Sequence, residues 1–137
     1  MSKYILDACA LLSVLNKEDG GEIVRDIIDK AKNNTVIAHM SIVNLLEVYY
    51  GVFRVYGEDF AENFITNIKE SPIEIIDTIS EEVFKEAGRL KANYQVSLAD
   101  SFVLAEASVS GFELLTSDHH EFDVIEQSEK IVFHWIR

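Results

Sequence analysis

Short apolar runs alternate along this chain with longer segments in which apolar residues recur every third or fourth position. The short runs are Tyr4-Ile5-Leu6, Val36-Ile37-Ala38, Ile73-Glu74-Ile75-Ile76, Glu113-Leu114-Leu115-Thr116 and Ile131-Val132-Phe133-His134-Trp135. Their length predicts strands. Helical periodicity covers 8–15, 22–32, 42–55, 58–68, 81–94 and 98–110. In the second of these, Ile23, Ile27, Ile28 and Ala31 share one face. Gly20-Gly21, Asn33-Asn34, Gly57, Ser71-Pro72 and Gly111 punctuate the pattern. Strands alternating with helices predict an α/β fold with a central, mainly parallel sheet of about five strands flanked by helices. No repeat, low-complexity stretch or interior linker interrupts it, so residues 1–137 are expected to form a single domain.

Composition adds limits. A chain of 137 residues can bury a core, and 48% hydrophobic with 26% charged residues is ordinary for a globular protein. No apolar run reaches the roughly 18 residues that a membrane helix needs. The N-terminus lacks the basic start, long apolar stretch and small-residue cleavage site of a secretory signal. Cys9 is the only cysteine, which rules out an intramolecular disulfide and fits a reducing cytoplasm. The charge is less ordinary. Asp and Glu number 24 against 12 Lys and Arg, a formal net of −12. Taken alone this opposes nucleic-acid binding, because phosphate contacts need cations. It leaves bound metal or a basic protein partner to balance the charge.

The predicted elements give some of these acids a place. In parallel α/β sheets, ligands bind beyond the carboxyl ends of the strands, near helix starts. Asp7 ends the first strand, Asp118 follows the strand that ends at Thr116, Glu47 lies in the helix opened by Ser41, and Asp100 is in the first turn of the helix from Leu98. Each also has an ordinary role open to it. Asp7 is a good helix cap, Asp118 a good turn residue, and Ser97-Leu98-Ala99-Asp100 fits a capping box with Asp in place of Glu. The helix around Glu47 is apolar nearly all round, which predicts burial on most sides. Its one polar or small stripe is Asn44, Glu47 and Gly51, which serves equally as a solvent face. The set argues more strongly than its members. Carboxylates about 4 Å apart repel by about 1 kcal/mol in water and about 4 near a protein surface. A hard divalent cation removes that cost, and it supports attack of water on a phosphodiester.

Four segments carry a resemblance to a known family. "YILDACALL", "SIVNLLEVYYG", "KANYQVSLADSFVLAEA" and "LLTSDHHEF" resemble, in order, the four acidic motifs of PIN-domain ribonucleases of the VapC toxin type, and "FHWIR" resembles a common family ending. The resemblance spans almost the whole chain. It implies a PIN-like three-layer fold and an acidic metal site of Asp7, Glu47, Asp100 and Asp118. Asp7 and Asp100 would be the most direct ligands of Mg2+ or Mn2+. Glu47 and Asp118 would complete the cluster, bind a second metal or orient water. It further implies cleavage of RNA, a cognate basic antitoxin that blocks the site, and a homodimer, alone or in a larger toxin–antitoxin assembly. Where relatives often carry Thr or Ser after the first Asp, this chain has Ala8 and Cys9, which takes a supporting hydroxyl from beside the site.

Other residues and functions compete. His119 and His120 are candidate ligands or proton donors, or solvated loop residues. Lys85, Arg89 and Lys91 could hold RNA phosphates, or pair with Glu81, Glu82 and Glu86 on their own helix. Cys9 as a nucleophile lacks an evident base. A catalytically weak or inactive PIN-like module would receive a basic protein segment in the acidic cleft. A phosphatase using Asp7 as nucleophile would want a second Asp at the position of Cys9.

Overall fold

A computed structural model describes residues 1–137. It contains β1 (Ser2–Leu6), α1 (Ala8–Leu15), α2 (Gly21–Lys32), β2 (Val36–Ser41), α3 (Ile42–Tyr56), α4 (Glu58–Glu70), β3 (Glu74–Ile76), α5 (Glu81–Asn93), α6 (Leu98–Ser110), β4 (Glu113–Thr116), α7 (His119–Ser128) and β5 (Phe133–Trp135). The five strands form one sheet in the order β3-β2-β1-β4-β5. Every pairing is parallel, where the sequence pattern predicts a mainly parallel sheet.

Side-chain alternation along the strands divides the molecule into three layers. Leu6 and Leu115 face one core with α1 to α4. Their neighbours Ile5 and Leu114 face a second core with α5 to α7. Both faces of β1 are therefore covered at its carboxyl end, which explains the apolar run Tyr4-Ile5-Leu6. Five of the seven helices start at side-chain caps: Asp7, Ser41, Ser80, Ser97 and Asp118 each accept a backbone N–H of the helix that follows, while α2 and α4 start at glycine. The start of α2 differs. Gly20 has φ +90°, and a Cβ on Gly21 would lie 2.4 Å from the Ser13 carbonyl oxygen. Only glycine lets α2 approach α1 this closely.

Two expectations need correction. Residues 119–128 form helix α7, which the sequence pattern does not predict. Apolar spacing there is sparse, and the helix is fixed by Phe122 and Ile125 packing on the second core. Helix α3 is not buried on most sides. Leu45, Val48 and Val52 are buried, while Ile42, Leu46, Tyr50 and Phe53 are exposed. Its apolar circumference exceeds what the sheet can cover.

Candidate metal and active site

The carboxyl edge of the sheet gathers the four predicted acids. Strand β1 delivers Asp7, β4 leads to Asp118, and the starts of α3 and α6 carry Glu47 and Asp100. All four negative charges act on Cys9, the second residue of α1.

Asp7 is 2% exposed and fully engaged. Its Oδ1 accepts the Ala10 N–H at 2.8 Å, and its Oδ2 accepts the Thr116 hydroxyl. The pairing of β1 with β4, with Leu6 opposite Leu115, sets Thr116 beside Asp7. The same hydroxyl oxygen accepts the Asp118 N–H at 3.1 Å. Thr116 thus bridges the first and fourth acids, and it supplies the hydroxyl that Ala8 and Cys9 lack. The second and third acids are joined similarly. Asn44, one turn before Glu47, donates from Nδ2 to the carbonyl of Ala99, the residue before Asp100, at 3.0 Å.

Capping and clustering coexist. Asp7 caps α1 and Asp118 caps α7. At α6 the cap is Ser97, which accepts the Asp100 N–H at 3.1 Å, and its side chain also favours the charged Asp100 carboxylate. Burial pushes the Asp7 carboxyl up to about 7; the Thr116 and Ala10 bonds oppose the shift, and the charges of Asp100 and Asp118 add to it. Asp100 is also raised to about 7, first by burial, then by Glu47 and Asp118. Glu47 is raised by burial and by Asp118. Burial and the surrounding acids push the Cys9 thiol up to about 12, which keeps it protonated and removes it as a nucleophile.

The donor set is carboxylate oxygen, which suits a hard divalent cation such as Mg2+ or Mn2+. No three His, Cys, Asp or Glu side chains are yet gathered at the spacing of a closed metal site. Mutual repulsion opposes closing the set without a cation. Asp7 also spends two acceptor positions on Ala10 and Thr116.

The other candidates stand apart from this cluster. His119 and His120 begin α7 rather than lying in a loop. His119 has both ring nitrogens at 2.8 Å from acceptors, the Asp123 carboxylate and the Arg137 carbonyl. Two acceptors facing the ring favour its protonated form, and its pKa is raised, first by the Asp123 bond. It stacks on Trp135 with centroids 3.8 Å apart. His120 is exposed beside Tyr94, Gln95 and Glu121. Lys85 pairs with Glu81, and Arg89 with Glu86 and Glu129, so the ion-pair alternative holds for both. Thr116 and Asn44 escaped the sequence reading. Thr116 stands two before Asp118 and closes a strand, and Asn44 belongs to the polar stripe of α3, but neither pattern reveals a hydrogen-bond partner.

The chain is a wholly parallel three-layer α/β domain with four acids at the carboxyl edge of its sheet. Residues 4–127 match the PIN domain, and the chain belongs to that family. No curated protein matches it in sequence. Solved structures share the fold at low identity. A chain of VapBC2 from Rickettsia felis, bound to a DNA fragment from its promoter, superposes with TM-score 0.74 at 20% identity, covering 97% of this chain and 98% of that one. DNA-bound VapBC from Salmonella typhimurium gives 0.73 at 18% identity, covering 100% of both chains. VapC20 from Mycobacterium tuberculosis, a toxin that cleaves the sarcin–ricin loop, gives 0.68 at 11% identity, covering 92% of this chain and 95% of that one.

Proposed function

We propose that this protein is a metal-dependent endoribonuclease, the toxin of a toxin–antitoxin pair acting in the cytoplasm as a homodimer. The observation that supports this reading is the placement of four carboxylates, two of them raised to about 7, along the carboxyl edge of a PIN fold. Such a cluster is costly in isolation and is stabilised by a cation. Asp7, Glu47, Asp100 and Asp118 would hold Mg2+ or Mn2+, which supplies charge neutralisation and an activated water at the scissile phosphate. The residues do the rest. Thr116 orients Asp7, and the cap at Ser97 fixes the turn that carries Asp100. Membership in the PIN family and the fold shared with VapBC chains support RNA as substrate and an antitoxin as partner.

A chelator should abolish cleavage of single-stranded or looped RNA, and Mn2+ should restore it. Asp7→Asn and Asp100→Asn should each lose cleavage while keeping the fold. Cleavage in excess chelator, or by Asp7→Asn at the wild-type rate, rejects this function. The open spacing of the acids favours one alternative, a non-cleaving module that takes a Lys or Arg of a basic protein segment into the cleft. Either partner should associate more slowly as salt rises, given a net charge of −12. A salt-independent on-rate rejects that electrostatic docking.

A further inference from the structure

We propose that Asn44 is a positioning residue that locks the helix of Glu47 to the turn of Asp100, and so sets how tightly the acidic site takes a divalent cation. The inference rests on the metal-site reading above. Two observations carry it. The first is the bond from Asn44 Nδ2 to the Ala99 carbonyl, which joins residues 55 apart in sequence. It connects α3 of one layer to α6 of the other, at the level where each presents an acid. The second is the other end of the same amide. Asn44 is fully buried, and its Oδ1 has no hydrogen-bond partner, the only buried side-chain polar atom in that condition. The amide cannot relieve this by flipping, because that would set Oδ1 against the Ala99 carbonyl oxygen.

An unpaired buried acceptor is a standing cost to folding, and an apolar side chain of similar size at this position would be at least as stable. The Ala99 carbonyl also keeps its place in the backbone ladder of α6 without Asn44. Stability therefore does not account for the residue. Geometry does. Glu47 and Asp100 are like charges at the same edge of the sheet, and like charges repel. A fixed link between α3 and α6 holds Glu47 and Asp100 at their spacing against that push. Residues that orient metal ligands typically change affinity ten- to hundredfold when removed.

The test measures Mn2+ binding by calorimetry, and the thermal midpoint in chelator, for wild type, Asn44→Leu, Asn44→Ala and Asp100→Asn. Asn44→Leu should unfold in chelator at or above the wild-type temperature, yet bind Mn2+ about tenfold or more weakly. Asn44→Ala should show the same weakening, whatever its midpoint. Wild-type Mn2+ affinity in both Asn44 variants overturns the role of Asn44 and leaves the metal site standing, provided Asp100→Asn loses binding. Equal binding by wild type and Asp100→Asn, or none by either, overturns the metal site and this inference with it. If both Asn44 variants are unfolded in chelator, Asn44 is a folding residue and the proposal fails.

Discussion

The cost of a single hydroxyl is measurable at Thr116, which donates to the buried Asp7 carboxylate and receives the Asp118 N–H. A hydrogen bond to a charged group is worth about 1.5–3 kcal/mol, and about 1 when neutral. The Thr116 bond lowers the Asp7 pKa, so it favours the charged form. Thr116→Val should therefore destabilise the metal-free protein more at pH 8 than at pH 5, while Thr116→Ser should be mild at both. Denaturant unfolding at the two pH values checks this, and a cost independent of pH would show that the hydroxyl does not serve the carboxylate. Asp100 poses the opposite balance. A carboxylate in the first turn gains about 0.3–1 kcal/mol from the helix dipole, but burial, Glu47 and Asp118 together raise it to about 7. Asp100→Asn should be more stable than wild type in chelator at pH 8, and the advantage should shrink or reverse with Mn2+. All four acids were legible in the sequence as candidates. Their helpers were not, because Thr116 and Asn44 act across 109 and 55 residues of chain, and no local pattern encodes a distant partner.

Elements were legible where their periodicity was strong. The bounds 8–15 and 98–110 agree with α1 and α6. Strand β2 extends to Ser41, beyond the apolar run, because pairing with β1 and β3 continues past it. Helix α7 leaves little periodicity in the sequence because only Phe122 and Ile125 are buried, and α3 carries more apolar residues than the fold covers. The junction of α1 and α2 shows how little slack an element contact has. Gly21→Ala sets a methyl 2.4 Å from the Ser13 carbonyl, which belongs to rigid helix backbone. The variant should lose about 1–3 kcal/mol, the usual range for overpacking. Gly51→Ala, where a Cβ meets nothing within 4 Å, should be neutral or slightly stabilising as a helix-interior change. Thermal midpoints of the pair check the contrast. Equal midpoints would mean that α2 moves freely on α1.

The pH response of the whole molecule follows from two of its acids. Asp7 and Asp100 titrate near 7 when folded and near 4 when unfolded. Between those values the folded state binds more protons, so metal-free stability should rise as pH falls from above 7 toward 4. Mn2+ should oppose this, since it binds the deprotonated acids. Midpoints across pH 5–8, with chelator and with Mn2+, check both signs; metal-free stability that falls steadily from pH 8 to 5 would contradict the raised values. The order of the sheet has a further consequence, for the timing of synthesis. Strand β1 pairs with β4, and Asp7 meets Thr116 only after 109 further residues have been made. Contacts this distant close late, because the chain between them must be ordered first. A ribosome that has translated β1, β2 and β3 holds a first acid and a second but not the pairing that joins the first to the fourth. The nascent chain therefore lacks the bridge between its first and fourth acids until β4 has been made.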